Sequence, residues 1–474
     1  MIRRQVGLCA GASALALLAC AALPDLASAH GLVGKQDLPI PKWLFAWAAA
    51  IVLVATFAGL ATLWPTPRLQ QPRERVVARV PRWLEPLAGT VGVALFVVCV
   101  YAGLAGEQDI PTSNLMVTVV FVIFWVGLPF ASVLFGDVFR AFNPWRAIGR
   151  LVGWIAHRAL GEPAEPLPYP ARLGRWPAVL GILAFAWVEL VYGNKDDPST
   201  LAVLALVYAA IQFVGMGLYG VRAWEHNGDA FAVYFGLFAR LSPLHWSDGE
   251  LRVRRPLEGV VGLDTPPGTV ALLVTMIGTT SFDGFSQGQV WTSIEPRLQS
   301  AFTSLGLGPE AAIEAAFTVG LVVAVLLVAA LYRLGVEGMH TVRPSDDPNE
   351  LARRFVHTLV PIALAYVVAH YFSLLVYQSQ ALDYLVSDPL GHGSDLFGTA
   401  GSGINYGIIT ATAVWYVQVA ALLGGHVGGL VLAHDRAVAF YRSPQAATRS
   451  QYWMLGVMVT FTSLGLWLLS STGQ

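Results

Sequence analysis

The chain reads as an all-α, polytopic transmembrane helix bundle of about ten spans that follow a cleaved signal peptide. Apolar residues make up 55% of its 474 positions and charged ones only 12%, too few to cover the surface of a soluble protein. Ten stretches reach or approach the roughly 20 apolar residues that a helix needs to cross a bilayer: 43–64, 84–105, 115–135, 176–193, 199–221, 268–285, 312–334, 355–378, 404–432 and 452–471. The charges between them alternate. Of 26 arginines, 23 fall in every second gap, while Lys35, Lys42 and Lys195 fall in the other set. Positive charge stays cytoplasmic during insertion. The arginine-rich gaps are therefore expected to face the cytoplasm, with both mature termini outside a bacterial cytoplasmic membrane.

Residues 1–29 carry Arg3 and Arg4, an apolar stretch from Val6 to Leu18, and Ala27-Ser28-Ala29, the small-x-small pattern that signal peptidase accepts. Cleavage there leaves a single integral membrane domain, 30–474, with His30 at its start. A terminal histidine offers an α-amino and a ring nitrogen to one ion, a pair suited to copper; the plainer reading is that His30 only follows the cleavage site. Leu17-Leu18-Ala19-Cys20 resembles a lipoprotein signal, which would instead place an acylated terminus at Cys20. Further along, Asp137 to Ala159 and Asp229 to Leu244 are semi-apolar and interrupted by arginine, the pattern of two helices lying in the cytoplasmic interface. The sixth span ends in Thr279-Thr280-Ser281-Phe282-Asp283-Gly284, polar enough to suggest a broken or re-entrant segment.

Several classes are excluded. A net charge of −1 without a basic domain argues against nucleic acid as a partner. Cys9 and Cys20 lie in the leader and Cys99 in a span, so no disulfide framework or thiolate cluster is available. The glycine-rich run from Gly398 to Gly403 lacks the lysine of a phosphate loop, and Gly401-Ser402-Gly403 is too short for a nucleophile elbow.

Ionisable groups within spans cost free energy and tend to face a cavity and have a task. Glu189 lies near the outer end of the fourth span and Asp283 at that of the sixth; His370 lies about 12 Å below the outer end of the eighth. Tyr377, Gln378 and Gln380 follow outward, and His392 lies in the next outer loop. Asp283, Glu189 and His370 are the candidate catalytic residues, and with His392 and His30 they form the candidate ligand set for a divalent metal ion. The alternative is structural: the carboxyls cap helix ends or bond Trp and Thr neighbours, and His370 bonds a backbone carbonyl. On the inner side, His357 opens the eighth span, and His426 and His434 lie eight residues apart towards the end of the ninth. His434 meets the headgroups in this reading. A haem is disfavoured because axial ligation needs two histidines at one depth, and His370 and His426 lie at opposite depths.

His30-Gly31-Leu32-Val33-Gly34 with Asp37-Leu38-Pro39-Ile40-Pro41, then Ala230-Phe231-Ala232-Val233-Tyr234-Phe235-Gly236, Ser281-Phe282-Asp283-Gly284-Phe285 and the stretch from Pro361 to Phe372, resemble as a group the bacterial integral membrane proteins labelled fenitrothion hydrolase. The resemblance runs along most of the mature chain. It implies a membrane-bound hydrolase that cleaves the aryl ester of an organophosphorothioate, and it transfers no catalytic residue. Such chemistry needs hydroxide at neutral pH and stabilisation of charge on the phosphoryl oxygen, both of which a divalent metal supplies. An apolar small-molecule substrate would enter from the lipid bilayer. The competing readings are a multi-span transporter or metal-handling permease, with the same residues forming a transit site, and a non-catalytic membrane scaffold.

The charge map makes a direct prediction. Ser394→Cys should react with an impermeant thiol reagent in intact spheroplasts and Ser345→Cys should not; the reverse labelling would overturn the orientation.

Overall fold

The computed structural model describes residues 42–161, 165–247, 249–441 and 443–471. The expected signal peptide and His30 lie outside them. The principal helices are α1 (Lys42–Leu63), α2 (Leu84–Ala105), α3 (Leu115–Phe135), α4 (Pro144–Leu160), α5 (Trp176–Leu190), α6 (Pro198–Tyr219), α7 (Ala230–Ala239), α8 (Thr269–Ser286), α9 (Gln289–Ser304), α10 (Pro309–His340), α11 (Leu359–Gln378), α12 (Ala411–Phe440) and α13 (Tyr452–Ser471). Each of the ten apolar stretches contains a helix, although the ninth, 404–432, becomes helical only from Ala411. Among the described residues, six helical segments are long and apolar enough to cross a membrane: α2, α3, α6, α10, α12 and the run Pro348–Ser387 that contains α11. Helices apolar on every side are stable only when buried in protein or lipid, and the many outward-facing Leu, Val and Ile side chains on α1, α2, α6 and α10 fit a lipid bilayer.

Local chemistry sets the helix starts. Asn114, Asn143, Asp197, Asp229 and Thr410 each accept a hydrogen bond from a backbone N–H of the first turn of α3, α4, α6, α7 and α12, satisfying donors that have no intrahelical partner. Pro144 and Pro198 open α4 and α6, where a missing N–H costs nothing. The sixth expected span is unbroken through Ser286. Its hydroxyls turn inward, Thr279, Thr280 and Ser281 each bonding the carbonyl four residues back at 2.7–3.1 Å, so the polar tail remains helical.

The two expected interfacial helices diverge. α4 has Leu151, Val152, Trp154 and Ile155 exposed and Arg158 beside Trp154, the composition of an interface helix. α7 is a correction: nine of its ten residues are buried, and it packs against α5 and the end of α3. Between Asp229 and Arg240 the sequence has no charge, so an interior position has no desolvation penalty from side chains. Phe231, Tyr234 and Phe235 instead join Phe124, Trp125, Phe139 and Phe185 in an aromatic cluster with centroids 4.6–6.5 Å apart. A second departure is a small sheet in the arginine-rich loops. Strands β1 (Arg75–Arg79), β2 (Leu244–Ser247) and β3 (Glu250–Val253) pair antiparallel in the order β1-β3-β2.

Two carboxylates, one exposed and one buried, fasten this end of the bundle. Asp264 is paired with Arg175, Arg240 and His226 at 2.7–3.3 Å. Partial burial pushes its carboxyl up, but His226, Arg175 and Arg240 outweigh that and hold it well below the usual range. Asp435 of α12 is fully buried. It accepts from the Trp64 indole, the backbone N–H groups of Arg68 and Leu69 and the Gln70 amide. Beside it, His434 bonds the Trp64 carbonyl at 3.1 Å and Gln451 at 3.3 Å. His434 is 2% exposed, which corrects its expected place among headgroups: its ring nitrogens are satisfied by protein.

Asp435→Ala would leave several buried donors without an acceptor, at about 1–3 kcal/mol each. The variant should lose more than about 3 kcal/mol of stability, read as a lower thermal unfolding midpoint in detergent. An unchanged midpoint would contradict the clamp.

Candidate functional site

Three helices and one turn bring polar side chains together at the end of the bundle opposite the sheet. Asp283 lies in the last turn of α8, Glu189 in the last turn of α5, and His370 and Tyr371 are adjacent on α11. His370 Nε2 stands 2.7 Å from Asp283 Oδ2. The Tyr371 hydroxyl donates to the same oxygen at 2.8 Å, and the Gln287 amide donates to Oδ1 at 3.3 Å. A carboxylate only accepts, so the His370 nitrogen facing it carries a proton, leaving Nδ1 as the ring's acceptor. Nδ1 lies beside Gly284, where a built Cβ would come within 3.5 Å.

Glu189 completes the group from the other side. Its carboxyl interacts with Asp283, Lys195, Tyr371 and Trp125, and Lys195 acts on Asp283 as well. Two carboxyls, one imidazole and one phenol thus share one electrostatic site, and the Lys195 ammonium acts on both carboxyls from farther off. The pair at its centre is neither sealed nor open, with side chains 19% exposed for His370 and 12% for Asp283.

Trp125 belongs to an unusual stretch. Residues Val119–Gly127 within α3 are wound as a π-helix, a conformation that is rare and concentrates at functional sites. Trp125 stacks on Tyr234 at 4.8 Å and 17°. Its buried indole Nε1 is the polar atom that Trp125 offers to Glu189 and Tyr371.

Sequence reasoning placed Asp283, Glu189 and His370 on one side of the membrane; the structure pairs His370 with Asp283 and leaves Glu189 within electrostatic reach of Asp283. His392 stays apart in an exposed loop, its backbone N–H bonded to Asp388. Tyr377 and Gln380 brace outer loop segments through Ile409 and Asn405. Among the described residues, no group of three or more His, Cys, Asp or Glu side chains is placed to hold a metal ion. His370 Nε2 is committed to Asp283 instead. Tyr371, Trp125 and Lys195 were missed. The two aromatics sit in apolar runs that mask them, whereas Lys195 had a signal as the one lysine between two spans.

Nitrogen-15 NMR of histidine-labelled protein, with the His370 resonances assigned by their loss in His370→Asn, should find the neutral ring protonated on Nε2. Asp283→Ala should abolish that preference. A proton held on Nδ1 in the parent protein would overturn the pairing.

No protein-family model, curated protein or solved structure matches the chain.

Proposed function

We propose that the chain is a membrane-bound hydrolase acting on organophosphate or organophosphorothioate-type esters, with His370 as general base and Asp283 as the residue that orients it. The observation that supports this reading best is the 2.7 Å contact between His370 Nε2 and Asp283 Oδ2, reinforced by Tyr371 on the same oxygen. A base held in one tautomer by a carboxylate is the arrangement that general-base catalysis uses. In this reading the site opens to the outside of a bacterial cytoplasmic membrane crossed ten times, and an apolar triester arrives through the lipid.

The chemistry balances with residues of this chain. His370 Nδ1 takes a proton from water as the water oxygen forms its bond to phosphorus. The phosphorus–aryloxide bond breaks, and the proton passes from His370 to the departing aryloxide. Asp283 stabilises the imidazolium formed in between, and the Lys195 ammonium offsets negative charge on the phosphoryl oxygen or sulfur. Asp283 and His370 are bonded to each other, so no step is routed through a metal.

A second reading is a proton-linked permease, favoured by the proximity of Glu189 and Asp283 within a membrane bundle, where neighbouring carboxyls are typical of proton carriers. One set of variants separates the two. With a p-nitrophenyl phosphorothioate triester and purified protein, His370→Ala and Asp283→Asn should each lower turnover by about 10²–10⁴-fold, and His157→Ala should not. Absence of turnover in the parent protein, together with proton flux through reconstituted vesicles that Glu189→Gln abolishes, would replace the hydrolase with the permease.

A further inference from the structure

We propose that the distal half of α4 docks on anionic phospholipid headgroups of the inner leaflet, a selective lipid contact that is independent of the hydrolase reading. The two halves of this helix differ. At its start, Trp145 donates to the buried Asp229 carboxylate at 2.8 Å, and Arg146 pairs with Glu225 at 3.1 Å and with Glu85 of α2 at 2.6 Å. From Arg150 onward it leaves the bundle. Every residue from Arg150 to Ala159 is exposed except the half-buried Ala156, a length of about 15 Å at 1.5 Å per residue. A Cβ built at Gly153 or Gly161 would meet no other atom within 4 Å. So short a helix is marginal in water by itself, and the mooring at its start fixes where its faces point.

One of those faces is apolar. Gly149 faces α6, its Cβ position 3.1 Å from Met216 Sδ, and two and six residues further on Leu151 and Ile155 turn away from α6. With Val152 they form an apolar strip whose members are each 50–58% exposed. The adjoining face carries Arg150, Trp154, His157 and Arg158. No acidic residue occurs between Asn143 and Gly161. Glu85 compensates Arg146 and Arg150, whereas Arg158 has no carboxylate partner among the described residues and lies over the Trp154 ring, 5.9 Å from its centre.

Charge decides what covers this surface. An apolar strip bordered by arginine and tryptophan belongs at the boundary between acyl chains and headgroups. A second copy of the helix would set arginine against arginine, and a zwitterionic headgroup offers no net charge. An anionic headgroup complements the basic face, and each arginine held there favours it by about fivefold. The helix is also at the correct end of the bundle. The carbonyl of Phe135, where α3 ends, accepts from the Trp246 indole of β2 at 2.7 Å, which places α4 among the arginine-rich segments.

The test uses the full chain reconstituted in vesicles of equal parts phosphatidylcholine and phosphatidylglycerol, with bromine on the acyl chains of one lipid or the other. Bromine quenches nearby tryptophan fluorescence, and subtracting the signal of a Trp154→Phe variant isolates Trp154 from the other tryptophans. Brominated phosphatidylglycerol should quench Trp154 severalfold more strongly than brominated phosphatidylcholine. Arg158→Gln should reduce that preference by about fivefold, and Arg150→Gln with Arg158→Gln should remove it, while Arg158→Lys should retain it. Both arginines are exposed, so the unfolding midpoint should hold. Equal quenching by the two lipids would mean apolar insertion without selection, and no quenching by either would place α4 in water or against protein. Either result, or a preference unchanged in the double arginine variant, would overturn the proposal.

Discussion

Among the described residues the most extensive helix–helix contact is that of α11 and α12, and the absence of a side chain at Gly425 makes it feasible. A Cβ there would stand 2.3 Å from that of Ala365 and 2.6 Å from the Pro361 carbonyl oxygen, distances no real side chain tolerates. Both polar centres hang from this contact. α11 carries His370 and Tyr371 towards one end, and α12 carries His426 mid-bundle and Asp435 near the other end. In lipid no hydrophobic force draws helices together, so association relies on close packing at small residues and on hydrogen bonds. Separating these two helices by the width of a methyl group would disturb each of those groups.

The buried carboxylates fall into two kinds. Asp229 and Asp435 are fully buried and surrounded by donors from several segments. Asp229 accepts from Asn143, Trp145, Tyr208 and the backbone N–H of Ala232, and Asp435 fastens the chain after α1. Every partner is a neutral donor, so these groups hold structure and have nothing to exchange. Asp283 differs because its principal partner, His370, can both give and accept a proton. That distinction between satisfied anchors and titratable pairs carries more weight for function than burial does.

Much of the architecture was legible because bilayer insertion writes itself into composition: the helices follow hydropathy, and the pairing of Asp283 with His370 follows depth. What stayed hidden depends on contacts between distant segments. The burial of α7 is decided by the aromatic surfaces of α3 and α5, not by its own pattern, and Arg240 at its end made it look interfacial. Tyr371 and Trp125 read as ordinary apolar positions until their polar atoms were placed. The π-helical winding of Val119–Gly127 has no recognisable mark in its run of Val, Phe and Ile. A three-residue pattern of threonine and serine suggested a break in α8, whereas each hydroxyl is absorbed by its own helix.

The small sheet has a consequence for biosynthesis. β1 pairs with β3, Arg75 opposite Val253, so the first strand waits while α2 through α7 are made. At about 5–20 residues per second of translation, its partner appears only after roughly ten seconds or more. During that interval Val76, Val77 and Ala78 form an unpaired β-prone edge, the kind of segment that invites misassociation. Arg75 and Arg79 bracket it with positive charge, so like charge on neighbouring copies guards the nascent strand until its partner arrives.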